Sequence, residues 1–284
     1  MKFDTVITAE NDGRINIREL LQYRYLIWLF IKRDFISKYK QTILGPLWAV
    51  IQPLMTTLVF NILFGKLARL TTMDSAEQAQ IPGFLFYMSG TICWSYFSQT
   101  VKNTANTLLI NRRIIGKVYF PRLVTPVSSA LANLISFGIR FVMFLGFWAY
   151  FLLRGDTGIH LNAYIWLLPA LLLQLILTGL GFGLIVASAT IKYRDMIHML
   201  DFTLELWHYG TPVAYGLSLI PAKYLGLYLL NPLSMIIVTF RNAFFGSGYF
   251  HTGYYAMGWA VTLLLLLAGL KLFRRVERTF VDTI

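Results

Sequence analysis

Charged residues are scarce in this chain of 284 residues, and acidic residues are the scarcest of them. Only 13% of the residues are charged and 57% are hydrophobic, whereas about 25% of the residues in soluble domains are charged. The composition therefore excludes an ordinary soluble domain and indicates an integral membrane protein. Although the net charge of +12 could suggest nucleic acid, the basic residues lie beside apolar stretches. We interpret them as topology signals and contacts to anionic lipid headgroups.

Cysteine and the common catalytic motifs are also lacking. The single cysteine, Cys93, lies inside an apolar stretch, which excludes an internal disulfide and a CxxC metal site. The sequence contains no GxxxxGK[ST] loop for nucleotide phosphates, no HExxH and no GxSxG. The polar start MKFDTVITAENDG lacks the apolar core of a cleaved signal peptide, so we expect the first span to direct insertion. The sequence predicts no catalytic residue, cofactor or metal in this chain.

Long apolar stretches are what the sequence does contain. A helix needs about 20 mostly apolar residues to cross a bilayer, and several uncharged stretches reach that length. Together they predict an all-α integral membrane protein, in which six transmembrane helices form a domain over residues 44–273. The predicted spans are Leu44–Phe64, Phe84–Val101, Pro126–Leu153, Tyr164–Ile191, Met196–Ile220 and Tyr254–Phe273.

The segment before the first span is of a different kind. After a predicted cytoplasmic tail at 1–16, residues 17–43 contain an apolar run that is too short to cross a bilayer. Helical spacing places Trp28, Ile31, Phe35 and Tyr39 on one face and charged residues on the other, which predicts an amphipathic helix in the headgroup plane. A buried helix of a small soluble domain is the alternative. The candidate interfacial residues are Trp28, Lys32, Arg33, Phe35, Lys38 and Tyr39.

The distribution of basic residues sets the predicted topology. Most of the 25 Lys and Arg residues lie in the N-terminal region, the loop after the second span, the turn at 192–195 and the tail at 274–284. Positively charged loops stay in the cytoplasm, so both termini are predicted to be cytoplasmic. The uncharged region 221–240 is broken by Asn231-Pro232 and is predicted to be a re-entrant helical hairpin between the fifth and sixth spans.

A polar stripe is the feature that most resembles a chemical site. Asp195, His198, Asp201, Glu205 and His208 recur at steps of three and four and therefore share one helical face. A metal or proton site, a polar wall of a water-filled path, and a purely structural role all remain open. Arginine at position 140 lies in the middle of a span, and we expect it to pair with Glu205 or Asp201. The candidate path or gate residues are Trp48, Arg140, Asp201, Glu205, Trp207, His208 and Tyr215.

Two further patterns concern packing. Gly179, Gly181 and Gly183 form a GxGxG run inside a span, and the GxxxG spacing of the outer two predicts close helix packing, not nucleotide binding. Aromatic residues make up 16% of the chain, and many lie near span ends. They are interpreted as an interfacial belt or as faces along which a sugar or lipid could slide.

Four segments, taken in order, resemble the membrane subunits of ABC-2-type exporters, particularly those for lipid-linked polysaccharides such as O-antigen, capsule and teichoic acid. The similarity covers nearly the whole chain after the first 16 residues. The segments are IKRDFISKYKQTILGPLWAVIQPL (Ile31–Leu54), NRRIIGKVYFPRLVTPV (Asn111–Val127), KYRDMIH (Lys192–His198), and TPVAYGLSLIP (Thr211–Pro221) with LNPLS (Leu230–Ser234).

The resemblance implies a homodimer in the bacterial cytoplasmic (inner) membrane that works with two separate nucleotide-binding subunits, which bind ATP and Mg²⁺. The substrate would be a polyprenyl-linked polysaccharide. The chain would also contact membrane lipids, and it would not bind nucleic acid. Spans 1 and 5 of two copies would line the path, and the hairpins would close its outer mouth. Loop 104–122 would hold a coupling helix, although its charge could serve topology alone. The ATPase-contact candidates are Asn111, Arg112, Arg113, Lys117, Tyr119, Phe120 and Arg122.

Two other functions remain open at this point. The same ABC-2 architecture could export a small molecule or drug instead of a glycan. Alternatively, the chain could be an intramembrane enzyme that acts on lipid-linked sugars through the polar stripe, in which case it would be active without a partner.

Overall fold

The computed structural model describes residues 17–40, 45–67, 81–155, 159, 161–191, 193, 195–246 and 250–280. Every regular element within these ranges is helical. The predicted tail at 1–16, most of the loop after the first span, and Lys192 and Arg194 of the charged turn lie outside the described residues.

The N-terminal part contains two helices before the first long apolar one. Helices α1 (Ile17–Gln22) and α2 (Arg24–Tyr39) occupy the predicted interfacial segment, of which 41–43 lies outside the described residues. A 3-10 turn at Gly45–Leu47 leads into α3 (Trp48–Phe60), which continues as a π-helical stretch, Asn61–Leu67. Pro53 lies inside α3 and is buried, and such prolines are tolerated where neighbouring helices satisfy the freed carbonyl groups.

The remaining helices follow in the order that the apolar stretches predict. They are α4 (Gly83–Ile110), α5 (Arg112–Ile115), α6 (Val124–Leu153), α7 (Leu168–Thr190, preceded by a 3-10 turn at Ala163–Leu167), α8 (Met196–Tyr209), α9 (Ala222–Leu229), α10 (Pro232–Phe245) and α11 (Thr252–Phe280), with a 3-10 turn at Leu217–Leu219 between α8 and α9.

Four helices in the described residues are long and apolar enough to cross a membrane: Trp48–Gly65, Val124–Leu153, Ala163–Thr190 and Thr252–Glu277. The bent pair α9 and α10 would make a fifth if it crossed as one unit. Helix α4 has 28 residues, a length of about 42 Å, but it is less apolar because it carries several Ser, Thr and Asn side chains. The buried ones among them are Ser89, Thr91, Thr100, Thr104 and Thr107.

Three predicted boundaries differ from the structure. The second span was predicted to end at Val101, but α4 continues to Ile110, so the predicted loop 104–122 is helical over its first seven residues. The fifth span was predicted as Met196–Ile220, but α8 ends at Tyr209. Pro212 explains this end, since proline has no N–H and disfavours helix at the residue before it. Helix α11 continues through the predicted tail to Phe280, because Arg and Glu are good helix formers.

Helix α4 is the centre of the bundle. It packs against α3, α6, α7, α8 and α10, while α7 also packs along α11. Gly179 and Gly183 of α7 face Thr100 and Thr104 of α4, and a Cβ atom at Gly183 would lie 2.6 Å from the Thr104 Cβ. The close packing predicted from the GxxxG spacing is therefore confirmed.

The predicted break at Asn231-Pro232 is also confirmed. Helices α9 and α10 meet there at an angle of 101°. The Asn231 side chain accepts a hydrogen bond of 3.2 Å from the Leu233 N–H, and Pro232 occupies the first turn, where a missing N–H costs nothing. All residues of α10 are buried in the bundle, including Arg241.

Candidate functional site

A polar cavity of about 480 Å³ lies between α2, α3, α4 and α6. Its charged lining consists of Arg33, Asp34 and Lys38 from α2 and Arg140 from α6. Neutral amides and several Ser and Thr hydroxyl groups also line the wall. The amides are Gln52, Gln99, Asn103, Asn111 and Asn133.

Lys38 extends from the exposed surface of α2 into this cavity. Its ammonium group donates hydrogen bonds to Gln99 Oε1 at 3.1 Å and Ser136 Oγ at 3.3 Å. Burial of the ammonium group, together with the positive charge of Arg140, lowers the pKa of Lys38 to about 8. The cavity therefore brings two cationic side chains close together.

The predicted partners of Arg140 are wrong. The Asp201 carboxylate pairs instead with Lys102 of α4 at 2.6 Å, and Glu205 is exposed on α8. Arg140 is 4% exposed and faces the cavity at α2 and α3. Helical spacing shows which residues share one face of α6, but it does not show which helix packs against that face. The sequence alone therefore could not identify the neighbours of Arg140.

The interfacial candidates occupy different surroundings on α2. Trp28 and Lys32 are exposed, Ile31 is buried, and Phe35 is half-buried, so the predicted apolar face is not one environment. The side chain of Tyr39 lies outside the described residues. Arg33 forms an ion pair of 2.7 Å with Asp34. An exposed apolar stripe, suited to lipid contact, runs instead along Leu21, Tyr25, Trp28, Leu29 and Ile36.

The polar stripe of α8 lies mostly on an exposed face. Asp195, His198, Asp201 and Glu205 are exposed, whereas His208 is half-buried. Its imidazole ring is stacked against Phe60 at 5.6 Å and Trp94 at 4.9 Å between ring centroids. In the part of the chain that the structure describes, no three His, Cys, Asp or Glu side chains are grouped as a metal ion requires.

The other path or gate candidates fall in three places. Trp48 is exposed and lines the polar cavity. Trp207 packs inward against Phe97 and Phe182, with ring centroids 5.2 Å and 5.1 Å away. The Tyr215 hydroxyl donates to the Tyr209 carbonyl oxygen at 2.7 Å, which ties the segment after α8 to the end of that helix.

The coupling candidates divide by exposure. Their exposed members are Arg112, Arg113, Lys117 and Tyr119. Asn111 is buried at the end of α4, where its amide donates to the Thr107 carbonyl oxygen at 2.8 Å. Phe120 packs on Phe30 of α2 at 5.8 Å, and Arg122 donates to the Glu277 carbonyl oxygen of α11 at 2.7 Å. The loop therefore has an outer contact surface and an inner anchor.

Arg241 is a central residue that the sequence interpretation missed. Its guanidinium group is fully buried and donates to the carbonyl oxygens of Val213 at 2.9 Å, Phe86 at 3.2 Å and Tyr215 at 3.4 Å. It also lies over the Phe86 ring, 3.5 Å from the centroid. Among Arg, Lys, Asp and Glu, it stands alone between Lys223 and Lys271 in the sequence, and that isolation was the available signal.

Comparison with known proteins gives one consistent result. Residues 25–245 match the family described as ABC-2 type transporter. The chain is 29% identical over 272 residues to the O-antigen export system permease protein RfbA of Myxococcus xanthus, covering 94% of this chain and 98% of that protein. It is 26% identical over 263 residues to the polysialic acid transport protein KpsM of Escherichia coli, covering 88% and 93%. It is 22% identical over 227 residues to the inner membrane transport permease YadH of Escherichia coli strain K12, covering 78% and 85%.

Proposed function

The chain belongs to the ABC-2 type transporter family, and from this premise we propose that it moves a polyprenyl-linked polysaccharide outward across the bacterial cytoplasmic membrane. As a member of this family, it is a multi-pass membrane permease without an ATPase function, and such permeases pair with ATPase subunits. The observation that carries the proposal is similarity over nearly the whole chain to two permeases whose names specify O-antigen and polysialic acid. The proposed substrate is accordingly of the O-antigen, capsule or teichoic acid type.

The proposed topology has six crossings and two cytoplasmic termini. Helices α3, α4, α6, α7 and α11 would each cross, and α8 with the segment up to Ile220 would make the sixth crossing. The α9–α10 pair would then enter and leave from the outer side, because a seventh crossing would place the basic C-terminus outside.

Reporter tags at both termini are expected to be inaccessible from outside intact spheroplasts. A tag that is accessible at only one terminus would overturn the even number of crossings.

A second copy of the chain is proposed to face α3 and α8. Several apolar residues of α3 are exposed in the single chain, beside the exposed Gln52 and Thr56. On α8, Asp201, Glu205 and Thr203 are exposed. Placing polar side chains of membrane-embedded helices against lipid costs free energy. A path between two copies would instead surround these side chains with water and substrate. In this arrangement the α8 stripe would line the path.

The enzyme alternative receives no support from this geometry. Its two proposed catalytic groups, Glu205 and His208, differ in surroundings, because Glu205 is exposed while His208 is held between two aromatic rings. General acid–base chemistry needs groups that can reach one reacting centre. Export of a small molecule by the same architecture remains the alternative that the export experiment decides.

Motion of the ATPase is proposed to enter through the exposed part of loop 111–122. Tyr119 is 71% exposed, while its neighbour Phe120 packs on α2 and is buried. A push on this loop would therefore reach α2, which lines the polar cavity. Arg122 would act as the anchor on α11, because its side chain is already bonded to Glu277.

The export experiment uses a strain from which this permease gene has been deleted, complemented with variants. The wild-type chain is expected to restore surface polysaccharide and to co-purify with an ATPase in equal amount. Tyr119→Ala combined with Arg113→Glu is expected to lower both surface polysaccharide and stimulated ATPase activity by about tenfold, because a contact surface would lose an aromatic anchor and gain a repulsive charge. Both quantities are measured in the same strains.

The matched control is Tyr150→Ala. Tyr150 is also exposed, at 57%, but it lies at the far end of α6 from the loop, where no cytoplasmic subunit could touch it in the proposed topology. Normal export by the Tyr119 and Arg113 variant would remove the coupling role. Unchanged surface polysaccharide in the deletion strain itself would refute the proposed substrate.

A further inference from the structure

We infer that the polar cavity between α2, α3, α4 and α6 is a binding site for the phosphate head of a membrane lipid, with Lys38 and Arg140 as its cationic groups. The inference rests on the proposed function only for the identity of that lipid, which would be the diphosphate-linked polyprenyl carrier. The class of ligand follows from the charge, size and position of the cavity.

The cavity carries a net positive charge. Its described lining contains three cationic side chains, Arg33, Lys38 and Arg140, and one carboxylate, Asp34. Asp34 is already engaged by Arg33 at 2.7 Å. The site therefore has a net charge of +2 and holds two cations close together in a partly desolvated space. Like charges held together are unfavourable, and a doubly charged anion between them would remove that cost.

The two cationic side chains enter the cavity from different helices. Arg140 is buried on α6, and its guanidinium group is a planar fork of the kind that binds phosphate in a bidentate manner. Lys38 approaches from α2, and its ammonium group is positioned by Gln99 and Ser136. The ammonium group from α2 and the guanidinium group from α6 can thus bind one phosphate or diphosphate together.

The size of the cavity and its uncharged polar wall also fit a phosphate head group. A volume of about 480 Å³ is within the range of roughly 300–1,000 Å³ for small-ligand sites. Asn103 donates to Asn133 Oδ1 at 3.2 Å, which aligns two amides along the wall. Amides of this kind suit oxygen-rich groups such as phosphate esters and the first sugar. They would not select for an acyl or prenyl chain.

The cavity is accessible from the surface of the chain. Trp48 at 48% exposure and Ile110 at 70% exposure belong to its lining, so the cavity opens to the surface of the chain between α3 and the end of α4. On the proposed topology that end of α4 is cytoplasmic, at headgroup depth. A lipid could place its phosphate in the cavity through this opening while its tail remains in the bilayer.

The test measures lipid binding by the full-length permease in detergent micelles, using native mass spectrometry. The probes are undecaprenyl diphosphate, phosphatidylglycerol and uncharged undecaprenol. Undecaprenyl diphosphate is expected to bind the wild-type chain, and Lys38→Gln is expected to weaken this binding by about tenfold, because a charge-assisted hydrogen bond would be lost. Undecaprenol is expected to bind no better than background.

Lys32→Gln is the matched control, because Lys32 lies on the same helix, is exposed, and does not line the cavity. Arg140→Lys retains the charge of the buried position, so it separates loss of binding from loss of folding, and its binding is expected to be intermediate. A selective loss of undecaprenyl diphosphate in Lys38→Gln would assign the site to the carrier lipid. An equal loss of phosphatidylglycerol would assign it to bilayer phospholipid.

Equal binding by the wild-type, Lys38→Gln and Lys32→Gln chains would overturn the site. Because binding is measured without the ATPase and without export, this result would leave the proposed function standing. Conversely, normal diphosphate binding by a chain that fails to restore surface polysaccharide would refute the proposed function alone.

Discussion

Arg241→Met is expected to lower the free energy of unfolding by about 2–4 kcal/mol, which is the cost of leaving two or more buried carbonyl oxygens without a donor. The guanidinium group binds the carbonyl oxygens of Val213 and Tyr215, which lie in the non-helical segment after α8. Within a membrane protein there is little water to replace such a donor. We expect a marked decrease in the melting temperature of the detergent-solubilised chain, measured by size-exclusion chromatography after heating.

The physical basis of this prediction is a geometric one. Arg241 joins α10, α4 and the segment after α8 through a single planar group, and it is stacked on Phe86. Gly90 allows this approach, since a Cβ atom there would lie 3.0 Å from the Arg241 Nη2 atom and from the Val213 backbone. The Arg241 guanidinium group therefore holds the segment after α8 in place against α4 and α10.

Two further variants make the Arg241 result interpretable. Arg241→Lys retains the charge but offers one compact ammonium group, so it is expected to melt between the wild type and Arg241→Met. Arg154→Met removes an arginine from the exposed end of α6 and is expected to melt like the wild type. If Arg241→Met melted within about one degree of the wild type, the role of Arg241 in joining these segments would be wrong.

Gly181→Val is expected to leave almost no folded protein, because it would force apart the backbones of α7 and α11. A Cβ atom at Gly181 would lie 2.7 Å from the backbone nitrogen of Leu266, and one at Gly269 would collide with the Gly181 carbonyl oxygen. Larger residues in a packed core cost about 1–3 kcal/mol when side chains can adjust, and here the obstacle is backbone. The measurement is the yield of monodisperse protein after solubilisation.

The control for this prediction is Gly138→Val on α6, where a Cβ atom would meet nothing within 4 Å. Its yield is expected to equal that of the wild type. Gly181→Ala is expected to fold with a lower melting temperature, because the two helices must separate and weaken the bond of 2.9 Å between the Thr178 and Thr262 hydroxyl groups. A normal yield from Gly181→Val would show that α7 and α11 do not approach as closely as described.

Helix positions were largely predictable from the sequence, and helix ends were less so. The third span was predicted as Pro126–Leu153, and α6 is Val124–Leu153, because a long apolar run has one stable form in lipid. The end of α4 was placed too early, at Val101, because Lys102 was taken as the edge of the membrane. In the structure Lys102 has a carboxylate partner on α8, so a charge at that position does not end the helix.

Which side chains meet was the least predictable part of the site. Arg140 was correctly recognised as unable to face lipid, yet its predicted partners were wrong. Helical spacing gives the direction in which a side chain points along its own helix, but the helix that it meets depends on the packing of the whole bundle. The cavity formed by α2, α3, α4 and α6 therefore had no signature in any single segment.

By itself, the sequence determined that this chain is a helical membrane protein of the ABC-2 type, because apolar length, basic loops and ordered motifs are local properties of the chain. The tertiary structure alone decided that Lys38 and Arg140 share one cavity, that Asp201 belongs to Lys102, and that Arg241 joins α10 to α4. These contacts join residues that are far apart in sequence. Their energies depend on distance and burial, which exist only once the helices have packed.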